Sequence, residues 1–117
     1  MKKRLLVAED EHDLQVIYRM MLGDAYEVIE AQNGREAVDM WHRFHPDLVL
    51  MDIQMPVMSG DVAIREILGV DPLAKILAVT AYRYSAEQLG VPVLNKGFGP
   101  SEFIFAVESA LHDSRAN

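Results

Sequence analysis

The sequence contains no cysteine, which excludes disulfides and thiolate metal sites. No apolar run approaches the roughly 20 residues that a membrane-spanning helix needs. The start is basic and then apolar, but Leu5-Leu6-Val7-Ala8 runs at once into Glu9-Asp10-Glu11, too short and too acidic for a signal peptide. Positive charge is scarce: 11 Lys and Arg stand against 18 Asp and Glu, and the net charge of −7 argues against nucleic acid as a direct partner and against a basic membrane-surface helix. There is no glycine-rich phosphate loop of the Walker type, no dinucleotide fingerprint and no serine nucleophile elbow. Repeats, linkers and low-complexity stretches are missing as well. What remains is an ordinary globular composition, half apolar and a quarter charged, over 117 residues. One domain spanning 1–117 is expected, able to close a single core without staples. The lack of cysteine fits a cytoplasmic protein.

Two kinds of segment alternate. Leu5–Ala8, Tyr26–Ile29, Leu48–Met51, Ile76–Val79 and Val91–Leu94 are short and mostly apolar, and predict strands. The continuous run at 48–51 suits a strand covered on both faces. Helical spacing lies between them. Over 11–22 it places Leu14, Ile17, Met21 and Leu22 on one stripe, and over 34–44 Ala37, Val38, Trp41 and Phe44. Asn33 is the cap of that second helix, with Glu36 as its box partner, in preference to an Asn-Gly hairpin. Ser59 caps a third helix over 60–68, apolar at Val62, Ile64, Ile67 and Leu68 and ended by Gly69 and Pro72. A last helix follows Pro100, with Phe103, Ile104, Val107 and Leu111 inward and a frayed polar tail beyond. Residues 81–90 leave room for only about two helical turns. The expected class is α/β, a doubly wound (βα)5 unit with a five-stranded parallel sheet covered on both faces.

In such sheets ligands bind beyond the carboxyl ends of the strands. Those ends carry Glu9-Asp10-Glu11, Asp52, Thr80 and Asn95-Lys96. Acids converging from separate strands repel one another unless a cation sits among them. Carboxylates and carbonyls without imidazole suit Mg²⁺. Lys96 offers a point charge to a phosphoryl oxygen, and Thr80 a hydroxyl donor. The set fits phosphoryl transfer to a carboxylate nucleophile. Each residue alone has a plainer role: Glu9 or Asp10 as a helix cap or solvated turn, Asp52 as a turn cap before Pro56, Thr80 as a strand residue, Lys96 as surface charge. Four complementary strand ends together argue for the site. His42 and His45 lie three apart but lack an acid at ligand spacing, and read as solvated. The methionines read as core or loop filler.

The quoted residues resemble the receiver domains of two-component response regulators, across essentially the whole chain. Leu5–Glu11 looks like the family's first strand with its acidic pair. Asp47-Leu48-Val49-Leu50-Met51-Asp52-Ile53-Gln54-Met55-Pro56-Val57-Met58-Ser59-Gly60 is very close to the phosphorylation-site signature. Ala78-Val79-Thr80-Ala81-Tyr82 resembles the fourth strand with its switch hydroxyl, and Leu94-Asn95-Lys96-Gly97-Phe98 the lysine motif. The resemblance implies the flavodoxin-like strand order 2-1-3-4-5. It implies that Asp52 takes a phosphoryl group from a sensor histidine kinase or phosphotransfer protein. Asp10, Asp52 and the main-chain carbonyl of Gln54 would bind Mg²⁺, with Glu9 acting through a water. Thr80 and Lys96 would contact the phosphoryl group, and Gln54 and Tyr82 would sit where the family tunes its lifetime. A downstream protein would read the change.

Two positions and one spacing depart from the family pattern. Gly97 replaces the usual proline after the lysine, and a cis bond there would be costly, so a trans link or local strain is expected. Val93 stands where the family has its switch aromatic. Only 16 positions separate Thr80 from Lys96, so the fourth helix should be short, irregular or missing. The leading reading is a phosphoacceptor switch and not a turnover enzyme. It would be a stand-alone regulator or one domain of a longer protein, with no output domain after the fifth helix. A degenerate receiver that only binds partners is the alternative. An aspartate-nucleophile phosphatase would need an acid where Gln54 stands. A flavin-binding protein would need a hydroxyl- and glycine-rich loop where Glu9-Asp10-Glu11 stands.

Overall fold

The computed structural model describes residues 1–82 and 86–112. Strands β1 (Lys3–Ala8), β2 (Tyr26–Ala31), β3 (Leu48–Asp52), β4 (Ile76–Thr80) and β5 (Val93–Asn95) alternate with helices α1 (His12–Leu22), α2 (Gly34–Phe44), α3 (Gly60–Val70), α4 (Ala86–Leu89) and α5 (Pro100–Leu111). A short 3-10 turn, Gly23–Ala25, joins α1 to β2. The strands are all parallel, in the order β2-β1-β3-β4-β5. The doubly wound α/β fold and the strand order are therefore as expected. Every residue of β3 and β4 is buried.

Alternation along the strands divides the core into two layers. Leu6, Ala8, Val49, Met51, Ile76 and Ala78 face α2 and α3, where Ala37, Val38, Trp41, Ala63, Ile64 and Ile67 meet them. Leu5, Val7, Leu48, Leu50 and Leu77 face α1 and α5, against Tyr18, Leu22, Phe103, Val107 and Ala110. Edge β5 follows the same rule, with Val93 packing on the first layer and Leu94 on the second. Consecutive strands therefore end on one rim, and that convergence builds the site.

Several elements differ in detail from expectation. The buried stripe of α1 is Gln15, Tyr18 and Leu22, while Ile17 is exposed. The helix turns this way because the Gln15 amide nitrogen lies 3.1, 3.0 and 3.0 Å from the carbonyl oxygens of Val7, Glu9 and Ala31, which share its two hydrogens. The bonds at the nitrogen outweigh one more aliphatic contact, even with Gln15 Oε1 buried and without a hydrogen-bond partner. Asn33 does cap α2, accepting from the Glu36 N–H at 2.8 Å, but the Glu36 carboxylate reaches the N–H of Gln32 and not that of Asn33. Ser59 precedes α3 without a side-chain cap bond, and α3 runs through Gly69 to Val70. At Asp71 the N–H still bonds back to Ile67, so Gly69 is only a weak spot inside the helix. Ladder pairing of β5 begins after Pro92, which has no N–H to give. The fourth helix is short, a single turn. Part of the 81–90 segment, residues 83–85, and the tail at 113–117 lie outside the described residues. No cis peptide occurs among the described residues, and Gly97 takes φ +98° on a trans link. Among the described residues no helix is long and apolar enough to cross a membrane.

Candidate functional site

The rim at the carboxyl ends of β1, β3, β4 and β5 collects the acids, the hydroxyl and the lysine. Glu9, one residue past β1, is 1% exposed, Asp52 at the end of β3 is 2% exposed and Thr80 at the end of β4 is fully buried. Asp10 is exposed. Carboxylate oxygens of Glu9, Asp10 and Asp52 lie within 4.8 Å of one another. Lys96, just after β5, bridges two of them: its Nζ is 3.3 Å from Glu9 Oε1 and 3.2 Å from Asp52 Oδ2.

Local backbone fixes these side chains. Glu9 is held by its N–H to Ala31 O and by the Glu11 N–H, which donates to Glu9 Oε2 at 3.1 Å. The Gln54 N–H lies 3.4 Å from Asp52 Oδ1. Thr80 Oγ1 accepts from the Tyr82 N–H at 3.0 Å, so the hydroxyl keeps its own proton free to donate. Lys96 is set by its N–H to Thr80 O at 2.8 Å. After β3 the chain folds back on itself. The Gly60 N–H donates to Ile53 O at 2.8 Å, and a Cβ on Gly60 would sit 2.8 Å from Ile53 Cα and closer still to the Asp52 carbonyl oxygen. Only glycine allows α3 to start that near the main chain of Asp52 and Ile53.

Burial dominates the electrostatics of Glu9. It pushes the carboxyl up to about 7, with the Asp52 charge adding to the rise and the Glu11 N–H and Lys96 opposing it. Burial would lower Lys96, but the charges of Asp52 and Glu9 outweigh it and hold the ammonium above its ordinary value. Three carboxylates against one ammonium leave about two negative charges uncompensated when all are ionised. An oxygen-only donor set of this charge fits a hard divalent cation, and Mg²⁺ in particular, which needs only one or two protein carboxylates.

The structure thus brings Glu9, Asp10, Asp52 and Lys96 together as anticipated, places Thr80 on the same rim, and sets the Gln54 backbone against Asp52. Sequence reasoning missed Gln15, which fastens the end of β1, and the close approach at Gly60. Gln15 could have been found from its spacing with Tyr18 and Leu22, at i, i+3 and i+7. Nothing local marks Gly60 as a contact point rather than a turn residue.

Residues 5–106 match the family model described as the response regulator receiver domain. The chemotaxis protein CheY of Thermotoga maritima is 47% identical over 87 residues, 69% of this chain and 69% of the relative. The polar-differentiation response regulator DivK of Brucella anthropi is 30% identical over 123 aligned positions, covering 97% of this chain and 100% of the relative. Among solved structures, the response regulator protein TrrA of Thermotoga maritima, in complex with Mg²⁺-BeF, matches with a TM-score of 0.85 at 31% identity, over 94% of this chain and 99% of that one.

Proposed function

We propose that this chain, which belongs to the response regulator receiver domain family, accepts a phosphoryl group on Asp52 and relays the event by a change of conformation. The observation that carries the reading is the lysine bridge: Lys96 Nζ lies 3.2 Å from the Asp52 carboxylate, beside the Glu9–Asp10–Asp52 cluster. An Asp52 oxygen attacks phosphorus, the P–N bond of a phosphohistidine breaks, and its electron pair returns to the imidazole nitrogen. The phosphoryl donor is a sensor histidine kinase or a phosphotransfer protein, and a further protein reads the outcome.

The chain's own residues supply position and charge. Asp52 is buried and aimed by the chain reversal at Gly60. Lys96 is poised to pair with a phosphoryl oxygen as soon as Asp52 gives up its negative charge to the new bond. Thr80 has a proton to donate to the same group. Asp10, Asp52 and the main-chain carbonyl of Gln54 would hold Mg²⁺, with Glu9 acting through a water. Bound there, the ion supplies positive charge against the phosphoryl oxygens. This is a switch and not a turnover enzyme, and a cytoplasmic location belongs to the same reading. Neither nucleic acid nor a membrane is needed as a partner.

The test is labelling with acetyl phosphate and Mg²⁺, followed by intact mass. Wild type should gain one phosphoryl group, and Asp52→Asn should gain none. Equal uptake by both would remove Asp52 from the role. No uptake by wild type, together with no Mg²⁺ binding in the millimolar range, would favour a module that only binds partners.

A further inference from the structure

Lys96 reaches two buried carboxylates from a loop that is open at its next residue. A Cβ on Gly97 would meet nothing within 4 Å, and glycine at φ +98° is among the least restrained of backbone units. Restraint begins one residue further on. The half-buried Phe98 ring lies 5.2 Å from Phe103 at 27° and 6.1 Å from Tyr18 at 25°. Tyr18 and Phe103 stack at 5.5 Å and 7°. Both of these rings are buried, one on α1 and one on α5. The loop after β5 is therefore pinned twice, by the Lys96 N–H on Thr80 O before the glycine and by the ring stack after it. Leu94 packs on the same face as the stack, whereas Val93, at the start of β5, packs on the opposite face of the sheet and cannot share in this.

We propose that the Tyr18–Phe98–Phe103 stack is the positioning element of Lys96. It holds the loop so that the ammonium spans Glu9 and Asp52, and it ties the site to α1 and α5. The proposal rests on the reading of Asp52 as phosphoacceptor and adds to it the residues that place its cation. Two consequences run in opposite directions. When the stack is cut, Lys96 no longer waits beside Asp52, and transfer to Asp52 slows. The carboxylates also lose the ammonium that competes for them, so Mg²⁺ binds more tightly. A general loosening of the fold would weaken both.

The variants are Phe98→Leu, which keeps apolar bulk without the ring, Tyr18→Leu, which cuts the stack from α1, Phe98→Tyr, which restores a ring, and Lys96→Met. In Phe98→Leu and Tyr18→Leu the acetyl-phosphate labelling rate should fall roughly five- to tenfold, the scale of one charge-assisted contact. Their Mg²⁺ dissociation constant, from amide NMR titration, should fall about two- to threefold, as expected for removal of a partly exposed ion pair. Lys96→Met should change both quantities in the same directions and further. The double variant Phe98→Leu/Lys96→Met should be no slower than Lys96→Met alone. Phe98→Tyr should return both values to those of wild type. The proposal is overturned if Phe98→Leu weakens Mg²⁺ binding along with the rate, if it leaves both unchanged, or if its effect multiplies with that of Lys96→Met. Failure of wild type to label would instead defeat the phosphoacceptor reading, and the Mg²⁺ affinities of Phe98→Leu and Lys96→Met would still decide whether the stack places the lysine.

Discussion

The loop after β3 and the loop after β5 each deliver one charged group to the same rim, and they are built on opposite principles. The first is closed: Asp52 is 2% exposed, the backbone doubles back through Gly60, and a γ-turn at Val57 is tied by the Met58 N–H to Pro56 O at 2.7 Å. The second is open at Lys96 and Gly97: the Lys96 side chain keeps 22% of its surface exposed, and a Cβ on Gly97 would meet nothing within 4 Å. Both loops use a glycine, but Gly60 is there for want of space and Gly97 for its positive φ. The difference suits the two tasks. Under the proposed function, Asp52 would have to stand at a fixed point to attack in line, whereas its counter-charge would have to yield room for the phosphoryl group.

Four substitutions would break or sharpen this contrast. Gly60→Ala should cost about 3 kcal/mol or more in urea unfolding, because the Asp52 carbonyl that the new methyl meets belongs to the buried β3. A cost below about 1 kcal/mol would mean that the closed loop is not closed. Glu9, which touches the charge of both loops, should show itself in pH dependence. Its carboxyl is raised from 4.5 to about 7 on folding, so the folded protein holds this proton more tightly than the unfolded chain. Its contribution to stability is full below pH 4.5 and is lost as the pH rises through 7. In EDTA, wild type should therefore lose on the order of 2 kcal/mol across that interval relative to Glu9→Gln. Parallel pH profiles for the two proteins would refute the burial argument.

Gly97→Ala should cost only about 1–2 kcal/mol, the conformational penalty of a left-handed residue with no clash added. If it proved as damaging as Gly60→Ala, the second loop would have to be packed after all. The smallest effect is expected at Val57, a β-branched residue held at φ +69° with its side chain largely in solvent. Val57→Gly should raise stability by roughly 0.5–1 kcal/mol, the relief of a disfavoured φ less the added freedom of the unfolded chain. A loss there would show that the closed loop needs its valine.

Much of this was legible in the chain itself. The apolar run at Leu48–Met51 announced a strand covered on both faces, the Asn33 cap was readable from Glu36 three residues on, and Asp52 was placed at a strand end by local pattern. On α1 the expected Leu14, Met21 and Leu22 do pack on the core and only Ile17 turns outward, because hydrophobicity alone ranks Ile17 above Gln15 and takes no account of the carbonyls around that amide. The ring stack was invisible for a related reason. Tyr18 and Phe103 were each readable as helix residues, but their meeting with Phe98 depends on α1 and α5 lying side by side on one face of the sheet.

The sequence by itself determined which residues stand at the ends of the strands, and hence the chemistry on offer: carboxylates, a hydroxyl and an amine. Those are matters of local order, set by short-range periodicity and turn chemistry. Only the tertiary structure decided that Lys96 spans Glu9 and Asp52, that Gly60 presses on the Asp52 backbone, and that Phe98 is clasped between two helices. Lys96 lies 44 residues from Asp52 along the chain. The parallel order that places β3, β4 and β5 side by side turns that separation into a contact, and no local pattern contains that information.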